Sequence, residues 1–387
     1  MQTLVALCAI GTEKILTNEI KLLGFKTCGN APGRVYFTCK KVMDMYRANL
    51  CLRTADRIYL QLTKFNAEDF EALFDGVYSI EWQELLKKDV RIIVDKVRTY
   101  KSKLSSEHSI QSIVHKAIYK KLGALWNMSV LPETGSPFSV RVYIEENVAK
   151  VLLDLSGEPL NRRGYRTHGG SAPIRETLAA SLIQLMYWKR KLPLHDPFCG
   201  SGTIAIEAAL YAYNVAPGFG RHFALENLIF FDETIAREIR FAEAEKIRPD
   251  AVARITGTDI DLQAIERARI NAEHACVTAG RALQSIGSDS RIQRPDFEVA
   301  DFASICAPYE EGMLIGNPPY GERLGDSTEA EDLYGRMKCF LTGFPKWQMG
   351  FITSNEKFEN FFGKKADRKK NLKCGNLDTC FYMYGGK

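Results

Sequence analysis

The sequence predicts an α/β protein in which an N-terminal α+β region precedes a Rossmann-like, doubly wound parallel sheet. From residue 172 onward, longer helices alternate with short apolar segments, a pattern typical of the βα units of a parallel sheet. Before that point, short strands and helices follow one another without a regular βα order. The later apolar segments end in glycine, aspartate or asparagine, which indicates a ligand site at the carboxyl edge of the sheet.

The N-terminal region divides into two predicted units, residues 1–66 and 67–160, followed by a basic, glycine-containing linker over 161–171. Hydrophobic periodicity defines the elements of both units. In the first unit we predict strands at 4–7, 34–38 and 58–65, a helix capped by Thr12 and ending at Leu23, and a helix at 42–49. In the second we predict short helices at 70–76 and 82–86, a strand at 90–97, a helix at 109–122, and a hairpin formed by 138–144 and 149–155.

The C-terminal unit, residues 172–387, is predicted to hold six strands with helices between them. The strands are predicted at 193–197, 254–259, 297–300, 313–316, 347–353 and 379–384. The helices are predicted at 174–188, 203–212, 262–275 and 330–340, with an additional helix at 234–246. A basic run over 364–373 is interpreted either as a phosphate-contacting segment or as a solvated face.

Composition places the chain among ordinary globular proteins. Of its 387 residues, 45% are hydrophobic and 26% are charged, so we expect a sizeable core. The first residues lack the basic segment of a signal peptide, and no apolar run reaches the length that crosses a membrane. The ten cysteines form no CxxC pair and no zinc-like cluster. We therefore expect a cytoplasmic protein with reduced thiols and no metal.

The basic residues are concentrated in the first part of the chain. Residues 1–168 carry 25 Lys and Arg against 18 Asp and Glu, a net charge of +7, and the remaining 27 against 29 give −2. This asymmetry favours an anionic partner such as nucleic acid for the N-terminal region, although a solvated basic face would give the same counts.

A glycine-containing loop follows the first predicted strand of the C-terminal unit. Asp196 ends that strand, and Gly200 and Gly202 lie just before a helix that begins at Thr203. Glycines at these positions allow a tight turn and a close approach of the backbone to a ligand. The loop has neither the lysine of a P-loop nor the third glycine of a dinucleotide fingerprint, so alone it is a weak indication of nucleotide binding.

The next two strands end in carboxylates. Asp259, followed by Ile260, is placed to accept the hydroxyl groups of a ribose. Asp301 could accept a proton from an adenine amino group while Phe302 packs on the ring. Each aspartate alone would also suit a helix N-cap. Their occurrence at successive strand ends, after the glycine loop, makes the combination specific.

The fourth strand is followed by Asn317-Pro318-Pro319-Tyr320. Two prolines fix the backbone, and Pro318 holds Asn317 in an extended conformation. The resulting turn presents an amide side chain, backbone carbonyls and an aromatic face, which together could hold a planar amino group. The alternative is a rigid surface turn.

Together these residues resemble class I methyltransferases that use S-adenosyl-L-methionine and act on exocyclic amino groups. The resemblance implies that Asp259 holds the cofactor's ribose with Ile260 beside the adenine, and that Asp301 and Phe302 flank the adenine. The segment Arg175–Leu178, which includes Thr177, resembles the segment that closes over the cofactor's carboxylate. The residues implied around the methionine part are Asp196, Phe198, Gly200, Gly202 and Thr203.

The whole chain resembles a narrower family, the THUMP-domain methyltransferases that modify guanine N2 in bacterial large-subunit ribosomal RNA. The resemblance rests on Phe74–Val77 with Trp82, on Asn161–Tyr165, on Asp196–Thr203 and on Asn317–Leu324. It implies a ferredoxin-like lobe over 1–66, a THUMP domain over 67–160, and RNA as the partner, either 23S rRNA or a precursor of the large subunit.

The resemblance also implies direct displacement. Asn317 Oδ1 and the Pro318 carbonyl would accept the two N–H bonds of a guanine amino group, Pro319 would keep the loop rigid, and Tyr320 would stack on an unpaired or flipped-out base. Carbon methylation would need a cysteine nucleophile, whereas Cys199 is interpreted as a packing residue. Three alternatives stay open: adenine-N6 methylation of RNA or DNA, a non-catalytic RNA-binding assembly factor, and a nicotinamide dehydrogenase.

Overall fold

The computed structural model describes residues 1–166, 173–319, 327–374 and 377–385, and builds them around two seven-stranded sheets. The strands of the N-terminal sheet are β1 (Gln2–Leu7), β2 (Lys26–Ala31), β3 (Arg34–Cys39), β4 (Arg57–Asn66), β5 (Arg91–Tyr100), β6 (Pro137–Glu145) and β7 (Val148–Asp154). Those of the C-terminal sheet are β8 (Leu194–Asp196), β9 (Ile255–Asp259), β10 (Asp296–Val299), β11 (Met313–Gly316), β12 (Gln348–Thr353), β13 (Arg368–Cys374) and β14 (Leu377–Tyr384).

The helices lie between these strands in the chain. Those of the N-terminal region are α1 (Glu13–Leu22), α2 (Val42–Cys51), α3 (Phe70–Tyr78) and α4 (Glu107–Trp126). Those of the C-terminal region are α5 (Glu176–Leu185), α6 (Thr203–Ala212), α7 (Glu233–Ala244), α8 (Leu262–Gln284), α9 (Ser327–Arg336), α10 (Cys339–Gly343) and α11 (Phe358–Phe362). No helix among the described residues is long and apolar enough to cross a membrane.

The two predicted N-terminal units share one sheet, with the strand order β2-β3-β1-β4-β7-β6-β5. Strand β4 of the first unit pairs antiparallel with β7 of the second, and one hydrophobic core packs the helices against the sheet. Strand β2 was not predicted, because its sequence Lys-Thr-Cys-Gly-Asn-Ala has no apolar alternation. The predicted Thr12 cap is wrong: its hydroxyl donates to the Ala9 carbonyl at 2.8 Å and does not cap α1.

Some of the basic residues of the N-terminal region lie inside the fold. Arg34 pairs with Glu145, and its guanidinium lies 4.3 Å from the centroid of the Tyr143 ring, although β1, β4 and β7 separate their strands. Arg141 pairs with Asp95 of the neighbouring strand at 3.1 Å. The sheet is therefore curled strongly on its helix-free face, and these arginines are buried components of the fold.

The C-terminal sheet has the order β10-β9-β8-β11-β12-β14-β13, one strand more than predicted. The additional strand, β13, contains most of the basic run. It forms the sheet edge, where charged side chains hinder pairing with another chain. Strands β8 to β12 are parallel and β14 is antiparallel. The carboxyl ends of β8, β9, β10 and β11 therefore meet at one edge of the sheet.

Several helix predictions needed correction. Helix α8 extends to Gln284, nine residues past the predicted end at 275. The single helix predicted over 330–340 is divided into α9 and α10, and α11 was not predicted. Helix α5 begins at Glu176 and not at 174, and the predicted helix at 82–86 is a 3₁₀ turn over Trp82–Glu84.

The first half of the predicted linker is part of the packed structure. Arg163 is buried and donates to the Leu160 carbonyl at 2.7 Å, while the buried Tyr165 hydroxyl donates to Glu207 of α6 at 3.2 Å. Residues 161–166 are therefore held by hydrogen bonds where they join the N-terminal region to α6. Residues 167–171 of the predicted linker lie outside the described residues.

A second junction joins the start of the chain to its end. The Ile10 carbonyl accepts a hydrogen bond from the Lys373 amide at 3.1 Å, which attaches the segment before α1 to the edge strand β13. Gly11 has φ +97°, and a Cβ atom there would lie 2.3 Å from the Asn371 carbonyl oxygen. Only glycine fits this backbone and this contact.

We expect Gly11→Ala to lower the free energy of unfolding by about 3 kcal/mol, because the methyl group must displace β13 as well as strain φ. Gly24→Ala is the matched control. Gly24 has φ +85° but nothing within 4 Å of its would-be Cβ, so it should lose only about 1 kcal/mol. Denaturant unfolding measures both values, and equal losses would show that the Gly11 contact with β13 does not constrain the fold.

Candidate active site

A cavity of about 350 Å³ lies at the carboxyl ends of β8, β9, β10 and β11. The strand order explains its position, because these four strands are neighbours and each ends in a loop that faces the same edge. Most of the predicted site residues line this cavity: Asp196, Phe198, Gly200, Thr203, Asp259, Ile260, Asp301, Phe302, Asn317 and Pro319.

The glycine loop is fixed to the neighbouring strand by its backbone. The Cys199 amide donates to the Thr258 carbonyl at 2.9 Å, and the Gly200 amide donates to Asp259 Oδ2 at 2.9 Å. Gly200 has φ +51°, and a Cβ atom on it would meet nothing within 4 Å. The loop thus presents bare backbone to open space in the cavity, which allows a ligand to approach closely.

Asp196 is a buried carboxyl group at the base of the cavity, 1% exposed. Its Oδ1 accepts a hydrogen bond from the Phe198 amide at 3.1 Å. Burial, with a smaller contribution from the charge of Asp259, raises the pKa of Asp196 well above its usual range. A cationic ligand in the cavity would favour the ionised form, so the two carboxylates fit a ligand that carries positive charge.

Asp259 organises the loops on both sides of it. Its Oδ2 accepts from the Gly200 amide, and its Oδ1 accepts from the Asp261 amide at 3.0 Å. Each carboxylate oxygen has a second lone pair, so both can still accept a hydrogen bond from a ligand hydroxyl. A pair of acceptors on one rigid carboxylate suits the two adjacent hydroxyl groups of a ribose.

Asp301 and Phe302 form another wall of the cavity together with Arg336, a residue that the sequence patterns did not indicate. Asp301 accepts from the Ala303 amide at 2.9 Å and pairs with Arg336 at 2.6 Å. The amide, assisted by Arg336, lowers the pKa of Asp301. The Arg336 guanidinium also lies 5.0 Å from the centroid of the Phe302 ring. Arg336 belongs to α9, and only tertiary folding brings this helix to the cavity.

The Asn317 loop contains an unsatisfied polar atom. Asn317 Oδ1 is buried and has no hydrogen-bond partner among the described residues. The described part of this loop, residues 317–319, is held in place, because the buried Tyr334 hydroxyl donates to the Pro319 carbonyl at 3.4 Å and lies 2.9 Å from Thr353 Oγ1. A buried acceptor without a partner is costly, so a ligand donor at this point of the cavity is expected. Tyr320 lies outside the described residues.

Three predicted site residues do not line the cavity: Thr177, Gly202 and Pro318. The Thr177 hydroxyl donates to Asp56 of the N-terminal region. Gly202 has φ +83° and is the N-cap of α6, and a Cβ atom on it would lie 2.9 Å from the Phe297 ring. Pro318 is buried. Thr177 and Gly202 therefore act on the cavity through the segments that they position.

Cys199 lines the cavity but is poorly suited to act as a nucleophile. Cys199 is buried, and burial raises the pKa of its thiol far above the usual range, so the thiolate is suppressed. No group of three or more His, Cys, Asp or Glu side chains in the described ranges could hold a metal ion. The polar side chains of the described lining are carboxylates, the amide of Asn317, the hydroxyl groups of Ser201 and Thr203, and the guanidinium groups of Arg267 and Arg336, and Ser201 Oγ, like Asn317 Oδ1, is buried without a partner among the described residues.

Comparison with known families identifies the chain. A family described as "RMKL-like, methyltransferase domain" matches residues 163–382, which is more than half of the sequence. The chain belongs to this RMKL-like methyltransferase family. A second family, described as "RlmL ferredoxin-like domain", matches residues 3–59. The predicted Rossmann-like sheet and N-terminal ferredoxin-like domain are thereby confirmed.

As an RMKL-like methyltransferase, the chain has relatives that match its full length. YpsC of Bacillus subtilis (strain 168), provisionally assigned as an RNA methyltransferase, is 38% identical over 387 residues, 100% of this chain and 96% of YpsC. The structure of SMU.472, provisionally assigned as a methyltransferase and complexed with SAH, is 36% identical, with a TM-score of 0.87 and coverage of 100% of this chain and 98% of SMU.472.

Two further structures bear on the fold. One from Listeria monocytogenes str. 4b F2365, titled a predicted N6-adenine-specific DNA methylase, is 36% identical with a TM-score of 0.88 and covers 100% of this chain and 96% of that one. TrmN from Thermus thermophilus is 18% identical with a TM-score of 0.66, with 99% of each chain covered. The TrmN likeness concerns the fold alone, and it extends the shared architecture across both regions of this RMKL-like methyltransferase.

Proposed function

We propose that this methyltransferase uses S-adenosyl-L-methionine to methylate the exocyclic N2 of a guanine in 23S rRNA by direct displacement, in the cytoplasm. The buried, unpaired Asn317 Oδ1 carries the proposal, because it lies in the same cavity as Asp196 and Asp259. An acceptor at this position fits an amino group that arrives with the second substrate. Family membership supports methyl transfer as the chemistry.

The residues of the cavity fit the cofactor. S-adenosyl-L-methionine supplies a methyl group on a positively charged sulfur, together with an ammonium group, a ribose and an adenine. Asp259 can accept the ribose hydroxyls, and the buried Asp196 gains from nearby positive charge. Phe302 and Ile260 offer apolar surface for the adenine. SMU.472, a relative of similar length, was crystallised with SAH.

The residues of the cavity act by orienting the guanine amino group. Asn317 Oδ1 and the Pro318 carbonyl accept the two N–H bonds of the guanine amino group, whose lone pair is delocalised and weakly nucleophilic. Pro319, whose carbonyl accepts a hydrogen bond from Tyr334, keeps the loop rigid. Such orientation is worth several kcal/mol of barrier. In the proposal Tyr320 stacks on the base, which must be unpaired or flipped out to reach the cavity.

Three observations support an RNA substrate. The residues before 169 have a net charge of +7. Residues 3–59 match the RlmL ferredoxin-like domain, and YpsC is provisionally assigned as an RNA methyltransferase. In the proposal, residues 67–160 are the THUMP domain that binds RNA together with this ferredoxin-like lobe. The choice of guanine N2 and of 23S rRNA follows the sequence resemblance.

Mass analysis of nucleosides from 23S rRNA tests the substrate. We expect N2-methylguanosine to fall by one residue per ribosome when the gene is deleted and to return when it is restored on a plasmid. Loss of N6-methyladenosine in its place would make the chain an adenine methyltransferase. Unchanged nucleosides, together with no calorimetric heat on adding S-adenosyl-L-methionine, would instead favour a non-catalytic RNA-binding factor.

A further inference from the structure

A second cavity, of about 310 Å³, opens at the same edge of the C-terminal sheet, beyond the Asn317 loop. It lies past the end of β12 and is lined by residues of β13 and β14, and its polar side chains include Ser354, Glu356, Asn371, Lys373 and Asp378. We propose that this cavity binds the nucleotide that flanks the methylated base in a single-stranded segment of the RNA. The inference rests on the proposed function, because it assigns a further subsite to the same substrate.

The topology places the two cavities side by side. Strand β12 runs parallel to β11, so Thr353 ends beside the Asn317 loop. Strand β14 is antiparallel, with Cys380 opposite Thr353, so its first residues reach the same edge. Because neighbouring strands are about 4.8 Å apart, the second cavity begins about 5 to 10 Å from the loop. A nucleotide adjacent to one whose base enters the first cavity would lie at this distance.

One buried side chain connects the walls of both cavities. Tyr334 is fully buried, and its hydroxyl lies within hydrogen-bond distance of the Pro319 carbonyl and of Thr353 Oγ1. Pro319 lines the first cavity and Thr353 lines the second. A nucleotide bound in the second cavity is therefore held at a fixed position relative to the amino-group acceptor, which favours productive orientation of the target base.

Two polar side chains of the second cavity, Ser354 and Asn371, are uncommitted. The Ser354 hydroxyl and the Asn371 side-chain amide have no hydrogen bond to any residue within the part of the chain that the structure describes. Lys373 Nζ lies 3.9 Å from Asp378, beyond hydrogen-bond distance. An amide offers both a donor and an acceptor to a base edge, and an ammonium group can contact the adjacent phosphate.

The charges favour a nucleotide held by its base over a free phosphate. Among the charged residues of the lining that the structure describes, Glu356 and Asp378 outnumber Lys373, so an isolated anion would be repelled. Carboxylates instead accept hydrogen bonds from the amino and imino groups of bases. The lining thus suits a base with a hydrogen-bond donor edge, attached to a backbone phosphate near Lys373.

The N-terminal region contributes one wall. Ile10 lines the cavity, is 44% exposed, and is tied by its carbonyl to the Lys373 amide. Its apolar side chain offers a surface for the face of a base. The cavity therefore lies where the basic N-terminal region meets the methyltransferase sheet, on the path of an RNA that the first region binds and the second modifies.

The test compares Asn371→Ala/Lys373→Ala with the wild type and with Lys365→Ala. Lys365 is exposed just before β13, about 17 Å or more along the strand from Lys373, and lies outside the cavity. The binding probe is a fluorescent, single-stranded oligoribonucleotide of eight random nucleotides, added to protein saturated with SAH. We expect the double variant to raise the dissociation constant about tenfold, and Lys365→Ala to change it less than about twofold.

The same proteins are assayed for methyl transfer to ribosomal RNA from cells lacking the gene. We expect the double variant to raise the KM for RNA about tenfold while kcat and the SAH dissociation constant stay within about twofold of the wild type. If Asn371 and Lys373 merely supported the fold, their substitution would change the KM for RNA, kcat and the SAH dissociation constant together. A midpoint of thermal unfolding equal to that of the wild type confirms that the double variant is folded.

The outcomes separate this inference from the proposed function. An unchanged oligonucleotide affinity in the double variant, a parallel loss of SAH affinity, or a wild type that does not bind the oligonucleotide would each overturn the subsite. If the wild type binds through Asn371 and Lys373 but methylates no guanine N2 in the RNA, the proposed function fails and the nucleotide subsite stands. If the wild type methylates guanine N2 and the double variant has the wild-type KM for RNA, only the proposed subsite fails.

Discussion

Asn317→Ala is expected to reduce the rate of methyl transfer by about three orders of magnitude or more and to leave the SAH dissociation constant within about threefold of the wild type. The reason is the unpaired Asn317 Oδ1, which is buried in the cavity beside, but not bonded to, the residues assigned to the cofactor. Removing it deletes an acceptor for the amino group while the hydrogen bonds of Gly200 and Asp259 remain. Single-turnover methylation and calorimetry measure the two quantities.

The control for this variant is Asn360→Ala. Asn360 is exposed on α11 and lies outside the cavity, so the same truncation should change neither quantity measurably. Losses of activity and of SAH affinity of the same size in Asn317→Ala would mean that Asn317 supports the loop structure and is not an acceptor. An improved free energy of unfolding in Asn317→Ala would agree with the acceptor role, because an orphaned buried oxygen costs about 1 to 3 kcal/mol.

The sequence predicted that four polar residues would meet at one edge of the sheet, because strand ends carry a local signature. Asp196, Asp259, Asp301 and Asn317 each lie at the end of a predicted strand, and a parallel sheet brings such positions to one edge whatever the details of its helices. The structure places all four on one cavity. Local patterns were sufficient here, because strand direction and a polar residue at the strand end determine the location.

Tertiary contacts account for what the sequence could not reveal. Arg336 reaches the cavity only because α9 packs beside the Asn317 loop, and nothing in the sequence near it indicates a ligand site. Thr177 resembled a cofactor residue, yet its hydroxyl binds Asp56, a partner 121 residues away in the N-terminal region. Strand β13 was not predicted, because its charged residues suit a sheet edge and do not show the alternation of a half-buried strand.

The contact between Thr177 and Asp56 joins the N-terminal region to a segment that borders the cavity. Burial raises the pKa of Asp56, and its hydrogen bond with Thr177 opposes that rise. Thr177 lies in the first turn of α5, three residues after Ile174, which lines the cavity. Together with the Ile10 junction, this means that the region proposed to bind RNA contacts α5 beside the first cavity and lines part of the second.

Asp259→Asn is expected to weaken SAH binding by about 100-fold. One side-chain amide cannot replace the carboxylate, because the Gly200 and Asp261 amides both donate to Asp259, and the NH₂ group of asparagine would face one of these donors. The glycine loop would lose its anchor and the ribose would lose an acceptor. Two charge-assisted hydrogen bonds are worth about 3 kcal/mol, which corresponds to about 100-fold in affinity at 25 °C.

Asp261→Asn provides the matched comparison, since it removes one charge from the same cavity two residues away. Asp261 caps α8 by accepting from the Gln263 amide at 2.8 Å, and asparagine caps a helix equally well. Its ion pair with Arg267, at 3.3 Å and partly exposed, contributes less than about 1 kcal/mol. Calorimetry should therefore show a change below about threefold. Equal weakening by both variants would mean that the cavity binds SAH through its overall negative charge, and not through the paired acceptors of Asp259.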